Sequence, residues 1–384
     1  MSPTPKIISR LPNVGTTIFT IMSKLAADHN AINLSQGFPN FAASPELIEL
    51  VNRFMKEGYN QYAPMIGVMA LREAIAQKVS TIYQTNYNPD TEITITSGAT
   101  EALFASISAV VNAGDEVIVF EPAYDSYVPA IELNGGIPVY VTLKPPYFKI
   151  DWQEVKSKIT GKTKLIIINS PQNPAGTILS KADLFELAGI VENSNIFIVS
   201  DEVYEHIIFD GEKHHSLMSH PILKERSFIC SSFGKTFHVT GWKVGYVLAP
   251  KDLTTEFRKI HQYLTFCTIT PVQMAIAEFL KKPENYTTLS GFYENKRDKF
   301  LHMVQHSRFK FIPSHGSYFQ NLSFAEITHE NDYDFAVRLT REIGIASIPV
   351  SQFYHQNNDF KILRFCFAKD DHTLEIAGEK LSKL

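Results

Sequence analysis

The sequence predicts an α/β fold in which a mostly parallel sheet is flanked by helices. Up to about Thr270, short runs of apolar and β-branched residues alternate with segments of helical periodicity. Several runs lack polar alternation, as strands buried on both faces do, and strands that alternate with helices are typical of doubly wound sheets. The predicted strands are Ile93–Thr96, Glu116–Phe120, Pro138–Leu143, Leu165–Asn169, Ile196–Ser200, Phe228–Cys230 and Val244–Leu248.

The predicted helices are marked by residues that commonly begin or end them. Ser44-Pro45 opens a segment that runs to Gly58, and proline at the first helical position with glycine at the end is a common helix pattern. Ser180-Lys181-Ala182-Asp183 resembles a capping box before Leu184–Val191. Further helices are predicted at 67–83 and 100–111.

Beyond Thr270 the pattern changes, which predicts a smaller α+β domain. Long helical segments with a charged face come first, and short strand-like segments follow. The helical segments are 271–282 and 284–305, and the strand-like segments are 318–322, 346–349 and 363–367. We expect residues 41–275 to form the large domain and residues 276–384 the small domain, with the N-terminal segment 1–40 as an arm and part of the small domain.

The composition is that of a globular protein and argues against several functions. Of the 384 residues, 44% are hydrophobic and 20% are charged, and the net charge is −4, which predicts neither nucleic-acid nor membrane binding. The N-terminus lacks the apolar segment of a signal peptide and the three cysteines form no paired motif, so we expect a cytoplasmic protein. His214 and His215 have no third ligand at metal spacing, so no metal site is predicted.

Lys235 has the surroundings that say most about chemistry. It follows the apolar run Phe228–Cys230, lies among small and hydroxyl residues, and is followed by a second cation, Lys243. A nearby cation and partial burial lower the pKa of an amine, so that more of it is the neutral nucleophile that imine chemistry requires. The usual alternative is a solvated surface lysine. A P-loop is excluded, because its first glycine would fall at Ile229.

Other polar segments follow predicted strands. Ser97-Gly98-Ala99-Thr100 leads into a helix, where small residues and free N–H groups suit an anion such as phosphate. Asn173 lies in a rigid turn and could hold its amide toward a ligand oxygen. Asp201 ends a strand, where ligands of α/β sheets bind, and could pair with a buried cation. Taken alone, each has a structural alternative, namely a tight turn, a plain loop and a helix N-cap.

Arg364 lies within the apolar segment Ile362–Phe367. Burying a lone guanidinium is costly, and its planar fork suits a carboxylate partner. The alternative is an arginine at a strand edge that points to water.

Together and in this order, these segments match one family. The matching segments are Ser97–Thr100, Asn173–Gly176, Ser200–Tyr204, Ser232–Lys235, Gly241–Gly245 and the late Arg364. Over nearly its whole length, the chain resembles the pyridoxal-phosphate-dependent aminotransferases of fold type I, classes I and II. The resemblance implies a seven-stranded sheet in the large domain and pyridoxal 5′-phosphate as the cofactor.

The resemblance also implies a role for each site residue. Lys235 would bind the cofactor covalently and then move the proton of the substrate α-carbon. Asp201 would pair with the pyridine nitrogen, which lets the ring accept electrons. Asn173 and Tyr204 would bind the phenolic oxygen, and Tyr124 would stack on the ring. The residues implied to hold the phosphate are Gly98, Ala99, Thr100, Ser232 and Lys243, with Tyr62 reaching the phosphate of the neighbouring subunit.

Substrate binding follows from the same resemblance. Arg364 would bind the α-carboxylate, assisted by the backbone of Gly37, and Asn173 is a second candidate for this contact. The role of Tyr62 implies a homodimer with shared active sites. Lys243 departs from the arginine of many members, and a lysine cannot grip phosphate in a bidentate manner.

The segments Leu34–Phe41 and Gly234–Gly245 most resemble the methionine, kynurenine and glutamine transaminase K group. This implies methionine or an aromatic amino acid as donor and ping-pong transfer to a 2-oxo acid. Aromatic residues that could line an apolar pocket, with core packing as the alternative, are Phe19, Phe38, Tyr62, Tyr124 and Phe353. An alternative activity on the same fold is β-elimination from cysteine conjugates.

Overall fold

The computed structural model describes residues 6–384, which form three sheets. The strands are β1 (Ile32–Asn33), β2 (Ile93–Thr96), β3 (Glu116–Glu121), β4 (Ile137–Thr142), β5 (Thr163–Asn169), β6 (Phe197–Asp201), β7 (Ser227–Ser232), β8 (Gly245–Leu248), β9 (Phe319–Ser323), β10 (Ile345–Ala346), β11 (Ile348–Pro349) and β12 (Ile362–Cys366). The large sheet has seven of these strands, in the order β2-β8-β7-β6-β5-β3-β4.

The large sheet confirms the predicted fold class. Strand β8 runs antiparallel to β2 and β7, and the other neighbours are parallel. Each predicted strand of the first part of the chain lies in this sheet. Strand β7 is longer than predicted, because Ser227 pairs with β6 at one end and Ser232 pairs with β8 at the other.

Both faces of the large sheet are buried. In β5, Ile166 and Ile168 belong to one hydrophobic cluster, while Leu165 and Ile167 belong to another on the opposite face.

The helices are α1 (Ile18–Asp28), α2 (Pro45–Lys56), α3 (Met69–Tyr83), α4 (Gly98–Val110), α5 (Tyr127–Leu133), α6 (Trp152–Lys158), α7 (Lys181–Val191), α8 (Pro221–Lys224), α9 (Phe233–Thr236), α10 (Lys251–Leu264), α11 (Thr270–Phe279), α12 (Glu284–Thr287), α13 (Leu289–Val304), α14 (Asp332–Arg338) and α15 (Asp371–Leu381). Among residues 6–384, none of these helices has the length and apolar character that a bilayer crossing requires.

Local interactions explain how the helices differ from the prediction. The capping box is present, with Ser180 and Asp183 each bonded to the backbone of the other. The segment predicted as one helix over 284–305 divides at Thr288, whose hydroxyl binds the carbonyl of Glu284. Side-chain hydroxyls that bond to the preceding turn compete with regular helix hydrogen bonds.

The N-terminal segment packs with the C-terminal part of the chain. Strand β1 pairs in parallel with β10, and strands β11, β12 and β9 form a small antiparallel sheet. Leu34, which follows β1, accepts a hydrogen bond from Cys366 of β12. This pairing brings the segment around Gly37 next to the small sheet. The domain limits at 40 and 275 stay a prediction.

Candidate active site

A cavity of about 330 Å³ lies where β5, β6 and β7 end, bounded by Asn169, Asp201 and Ser232. Its lining brings together, with the exception of Tyr62, every residue to which the family resemblance assigns cofactor or substrate binding. The lining residues are Phe19, Gln36, Gly37, Gly98, Ala99, Thr100, Leu103, Tyr124, Asn169, Asn173, Asp201, Val203, Tyr204, Ser232, Gly234, Lys235, Thr240, Lys243, Phe319 and Arg364. A larger cavity of about 1020 Å³ adjoins it at Asn169, but the buried cations and the aspartate lie in the smaller one.

Lys235 extends from the short helix α9, which directly follows β7. Its amine donates hydrogen bonds to the carbonyl oxygen of Gly37 at 2.9 Å and to the hydroxyl of Tyr318 at 3.0 Å. Burial lowers the pKa of the amine to about 8, and the positive charges of Arg364 and Lys243 add to this effect. With a pKa of about 8, about a tenth of this lysine is neutral at pH 7, far more than of an ordinary lysine, and the neutral form is the one that a nucleophile or a base requires.

Asp201 is the last residue of β6 and is almost fully buried. Its carboxylate accepts hydrogen bonds from the hydroxyl of Tyr127 at 2.6 Å and from the backbone N–H of Val203 at 3.3 Å. Burial raises the pKa of Asp201 to about 6, whereas the hydrogen bond from Tyr127 lowers it. Residues 203–206 form turns rather than a helix, so the alternative of a helix N-cap does not apply.

The N-terminus of α4 forms a cradle of small residues. Gly98 has φ of +76°, a conformation that favours glycine, and a Cβ built there would lie 3.3 Å from the amine of Lys243. The carboxylate of Glu101 binds the N–H of Ser97, while Ala99 and Thr100 border the cavity. The start of a helix together with a lysine amine suits the binding of an anion.

Arg364 lies in β12, the central strand of the small sheet, and is fully buried. Its guanidinium donates to the side-chain oxygen of Asn173 at 2.7 Å and to the carbonyl of Ser35 at 2.8 Å, and its Nε has no partner among residues 6–384. The guanidinium carbon lies 3.9 Å from the centre of the Phe319 ring and 5.3 Å from that of Phe353. The alternative of an arginine pointing to water is therefore wrong, and an anionic ligand would satisfy the remaining donors.

Burial also affects the tyrosines of the site. It raises the pKa of Tyr124 to about 12 and that of Tyr204 further, so both hydroxyls remain protonated hydrogen-bond donors at neutral pH. Of the aromatic residues suggested for an apolar pocket, Phe19 and Tyr124 border the cavity. Phe353 instead packs behind Arg364, and Phe38 is 44% exposed.

Tyr62 is 83% exposed and lies outside the cavity of its own chain. Its ring contacts that of Phe266 at 5.5 Å. Phe266 lies just after α10. Other exposed apolar side chains near Phe266 in the sequence are Tyr263 and Leu264, at the end of α10, and Ile269.

Sequence reasoning missed several residues that hold the site together. Tyr318 accepts a hydrogen bond from Lys235, and Tyr127 donates one to Asp201. Phe319 stacks on Arg364. The spacing of three residues between Tyr124 and Tyr127 at the start of a helix is the one local signal for Tyr127. Tyr318 and Phe319 come from a distant segment, and only the tertiary fold brings them to the site.

Comparison with known proteins identifies the family. The family model described as aminotransferase class I and II matches residues 29–381. The methionine aminotransferase of Escherichia coli is 48% identical over 98% of this chain and 98% of that protein. The kynurenine–oxoglutarate transaminase of Dictyostelium discoideum is 36% identical over 100% of this chain and 98% of that protein.

Solved structures agree with this assignment. An Escherichia coli structure described as identifying a methionine aminotransferase function superposes with a TM-score of 0.98 at 48% identity, covering 99% of this chain and 100% of that one. The N-succinyldiaminopimelate aminotransferase of Mycobacterium tuberculosis superposes with a TM-score of 0.94 at 34% identity, covering 98% of this chain and 100% of that one. The predicted resemblance is confirmed, and the chain belongs to the class I and II aminotransferase family.

Proposed function

We propose that this protein uses pyridoxal 5′-phosphate to move the amino group of an L-amino acid, methionine or an aromatic one, to a 2-oxo acid. The observation that carries this proposal is the convergence of Lys235, Asp201, Arg364 and the N-terminus of α4 on one cavity. An amine, a carboxylate, a carboxylate-binding arginine and an anion cradle are the groups that this reaction needs from a protein.

The residues present fit the cofactor. The cradle at Gly98 would hold its phosphate, with Lys243 beside it and Ser232 at the end of β7. The buried carboxylate of Asp201 would face the pyridine nitrogen, because a cation there offsets the cost of burying the aspartate. When bound, the cofactor supplies an electron sink for the bond broken at the substrate α-carbon.

The chain's own residues would then bind the substrate and move its proton. Arg364 would bind the α-carboxylate through the donors that Asn173 and Ser35 leave free, with Gly37 beside it. The neutral amine of Lys235 would take the α-proton and later return it to a different atom. Tyr204 and Asn173 would orient the ring through its phenolic oxygen. The residues assigned a catalytic role are Lys235, Asp201 and Tyr204.

The donor assignment rests on the relatives and on the lining of the cavity. The Escherichia coli relative is a methionine aminotransferase, and the Dictyostelium discoideum relative is a kynurenine–oxoglutarate transaminase. Phe19 borders the cavity beside Arg364, which would suit a large apolar side chain next to the carboxylate.

We also propose a homodimer in which each subunit completes the site of the other. Tyr62 and Phe266 are exposed and their rings are in contact, and Tyr263, three residues before Phe266, is also exposed, which gives an apolar surface that a second copy would cover. Covering this surface would bring Tyr62 toward the phosphate cradle of the partner, as the family resemblance implies.

The test is an absorbance spectrum of the purified protein, loaded with pyridoxal 5′-phosphate, before and after methionine is added without an oxo acid. We expect the bound cofactor to give an absorbance band near the edge of the visible range. Methionine should abolish this band, and a 2-oxo acid added afterwards should restore it. The Lys235→Ala variant serves as the control and should show no such cycle. A band that no amino acid changes would contradict the proposed transfer, and a band that responds only to other amino acids would correct the donor.

A further inference from the structure

Tyr318 is a fully buried tyrosine that none of the roles assigned above includes. Its hydroxyl lies at hydrogen-bond distance from two groups of the site. It donates to the carbonyl oxygen of Gly37 at 2.6 Å and accepts from the amine of Lys235 at 3.0 Å. Lys235 donates to the same carbonyl at 2.9 Å, so the three polar atoms form a closed triangle.

The distances and the available donors set the direction of these hydrogen bonds. A backbone carbonyl only accepts, and the Gly37 carbonyl at 2.6 Å is closer to the Tyr318 hydroxyl than the Lys235 amine at 3.0 Å, so the single hydroxyl proton goes to Gly37. Burial raises the pKa of Tyr318 well above 10, so this proton stays in place. The Tyr318 oxygen therefore presents lone pairs to Lys235, and the amine is the donor in both of its contacts.

We propose that Tyr318 is a positioning residue. It holds the free amine of Lys235 against Gly37, so that the lone pair of the amine is directed at the substrate. This inference rests on the proposed function of Lys235 in proton transfer. A neutral amine has two N–H groups and one lone pair. Gly37 and Tyr318 bind both N–H groups, so the lone pair is left as the acceptor of the α-proton.

The proton balance of the step is complete. The α-carbon loses a proton, and the lone pair of Lys235 gains it to give an ammonium ion. Two of the ammonium protons remain bound to Gly37 and Tyr318, and the third is the one delivered afterwards. Without the Tyr318 hydroxyl, the amine can rotate about its last bond, and fewer of its orientations are productive.

The rest of the Tyr318 side chain is held by aromatic packing that does not need the hydroxyl. Its ring centre lies 5.0 Å from that of Tyr204 and 5.0 Å from that of Phe319. Tyr293 packs against it at 5.7 Å and is also fully buried, and its hydroxyl has no partner in the part of the chain that the structure describes. Tyr318→Phe and Tyr293→Phe thus each remove a hydroxyl group from one of two neighbouring buried rings. Of these two hydroxyl groups, that of Tyr318 is the one bonded to Lys235.

The decisive experiment compares these two variants with the unchanged protein in two assays. In the first, cofactor-free protein is labelled with trace acetic anhydride across the neutral and alkaline range, and the Lys235 peptide is quantified by mass spectrometry. An acceptor stabilises the charged amine, so Tyr318→Phe should lower the pKa at which Lys235 becomes reactive, while Tyr293→Phe should leave it unchanged. In the second, kcat is measured with methionine carrying hydrogen or deuterium at the α-carbon.

In the second assay, we expect Tyr318→Phe to lower kcat about ten-fold, to raise the deuterium isotope effect on kcat and to change KM little, as losing one hydrogen bond to a reacting group should. Tyr293→Phe should match the unchanged protein. The inference is overturned if the two variants behave alike in the labelling assay. The labelling assay needs no turnover, so it decides the role of Tyr318 even if the unchanged protein does not react with methionine. A failure to react with methionine would count against the proposed donor alone.

Discussion

The hydroxyl of Tyr127 lies 2.6 Å from the carboxylate of Asp201, and both side chains are buried. Within residues 6–384, Tyr127 is the one side chain that donates a hydrogen bond to this carboxylate, and the other donor is the backbone of Val203 at 3.3 Å. Burial raises the pKa of the Tyr127 hydroxyl well above 10, so it remains a donor. Tyr127 therefore stabilises the ionised form of Asp201, which is the form that would pair with a protonated pyridine nitrogen.

Tyr127→Phe should move the acid limb of activity to higher pH. Hydrogen bonds to charged groups are worth about 1.5–3 kcal/mol, which corresponds to an upward shift of about one to two pH units in the pKa of Asp201. The measurement is kcat/KM against pH. Tyr87→Phe is the matched control, because Tyr87 is also buried but its hydroxyl has no partner within the described residues. Equal acid limbs for the two variants would show that Tyr127 does not control Asp201.

Asp201→Asn should abolish transamination and yet stabilise the cofactor-free protein. The pKa of Asp201 is about 6 in the folded protein, above its ordinary value of 3.8, so the folded chain binds more protons than the unfolded chain between these values. Stability therefore falls as pH rises through this window, and the full cost of about 2–3 kcal/mol applies above about pH 6. Urea unfolding should show a gain for the variant at about pH 8 that disappears near pH 4. A variant that is less stable than the unchanged protein at both pH values would contradict this account.

The sequence was sufficient for the parts of the site that follow strands. Asp201 ends one strand and Lys235 lies three residues past the end of the next, and parallel strands bring such positions to one edge of a sheet. Arg364 was recognisable because a charge within an apolar strand needs a partner. Local pattern and the topology that it implies point to these residues, whereas their individual roles are what the family resemblance implies.

The residues that support these groups could not be predicted in the same way. Tyr318 reaches Lys235 across 83 positions of the chain, and Ser35 reaches Arg364 across 329. Tyrosine and serine beside apolar residues are common in any core, so neither type marks a contact before the fold is known. Helix limits also depended on distant partners, since Val68 just before α3 donates its N–H to the side chain of Gln273.

Gly98→Ala should weaken cofactor binding more than it weakens the fold. Alanine at φ of +76° costs about 1–2 kcal/mol, and its Cβ would push against the amine of Lys243. Gly114→Ala is the matched control, because Gly114 has φ of +88° but none of residues 6–384 places an atom within 4 Å of the new Cβ apart from its own chain neighbours. We expect similar losses in Tm for the two variants, and about a ten-fold or larger rise in the cofactor Kd for Gly98→Ala alone. Absorbance titration of the cofactor-free proteins measures this Kd, and equal affinities would exclude Gly98 from the phosphate cradle.

Mixing two inactive variants tests whether Tyr62 serves the partner subunit. Lys235→Ala removes the reactive amine, and Tyr62→Ala removes an exposed side chain that lies outside the cavity of its own chain. In a mixed dimer, the Tyr62→Ala subunit retains Lys235, and the Lys235→Ala subunit would supply the missing tyrosine across the interface. Random mixing gives mixed dimers in about half of the population with one complete site each, so about a quarter of the normal activity should return after the subunits are dissociated and reassociated. If Tyr62 acted within its own chain, neither site of the mixed dimer would be complete, and the mixture would show only the average of the two separate variants.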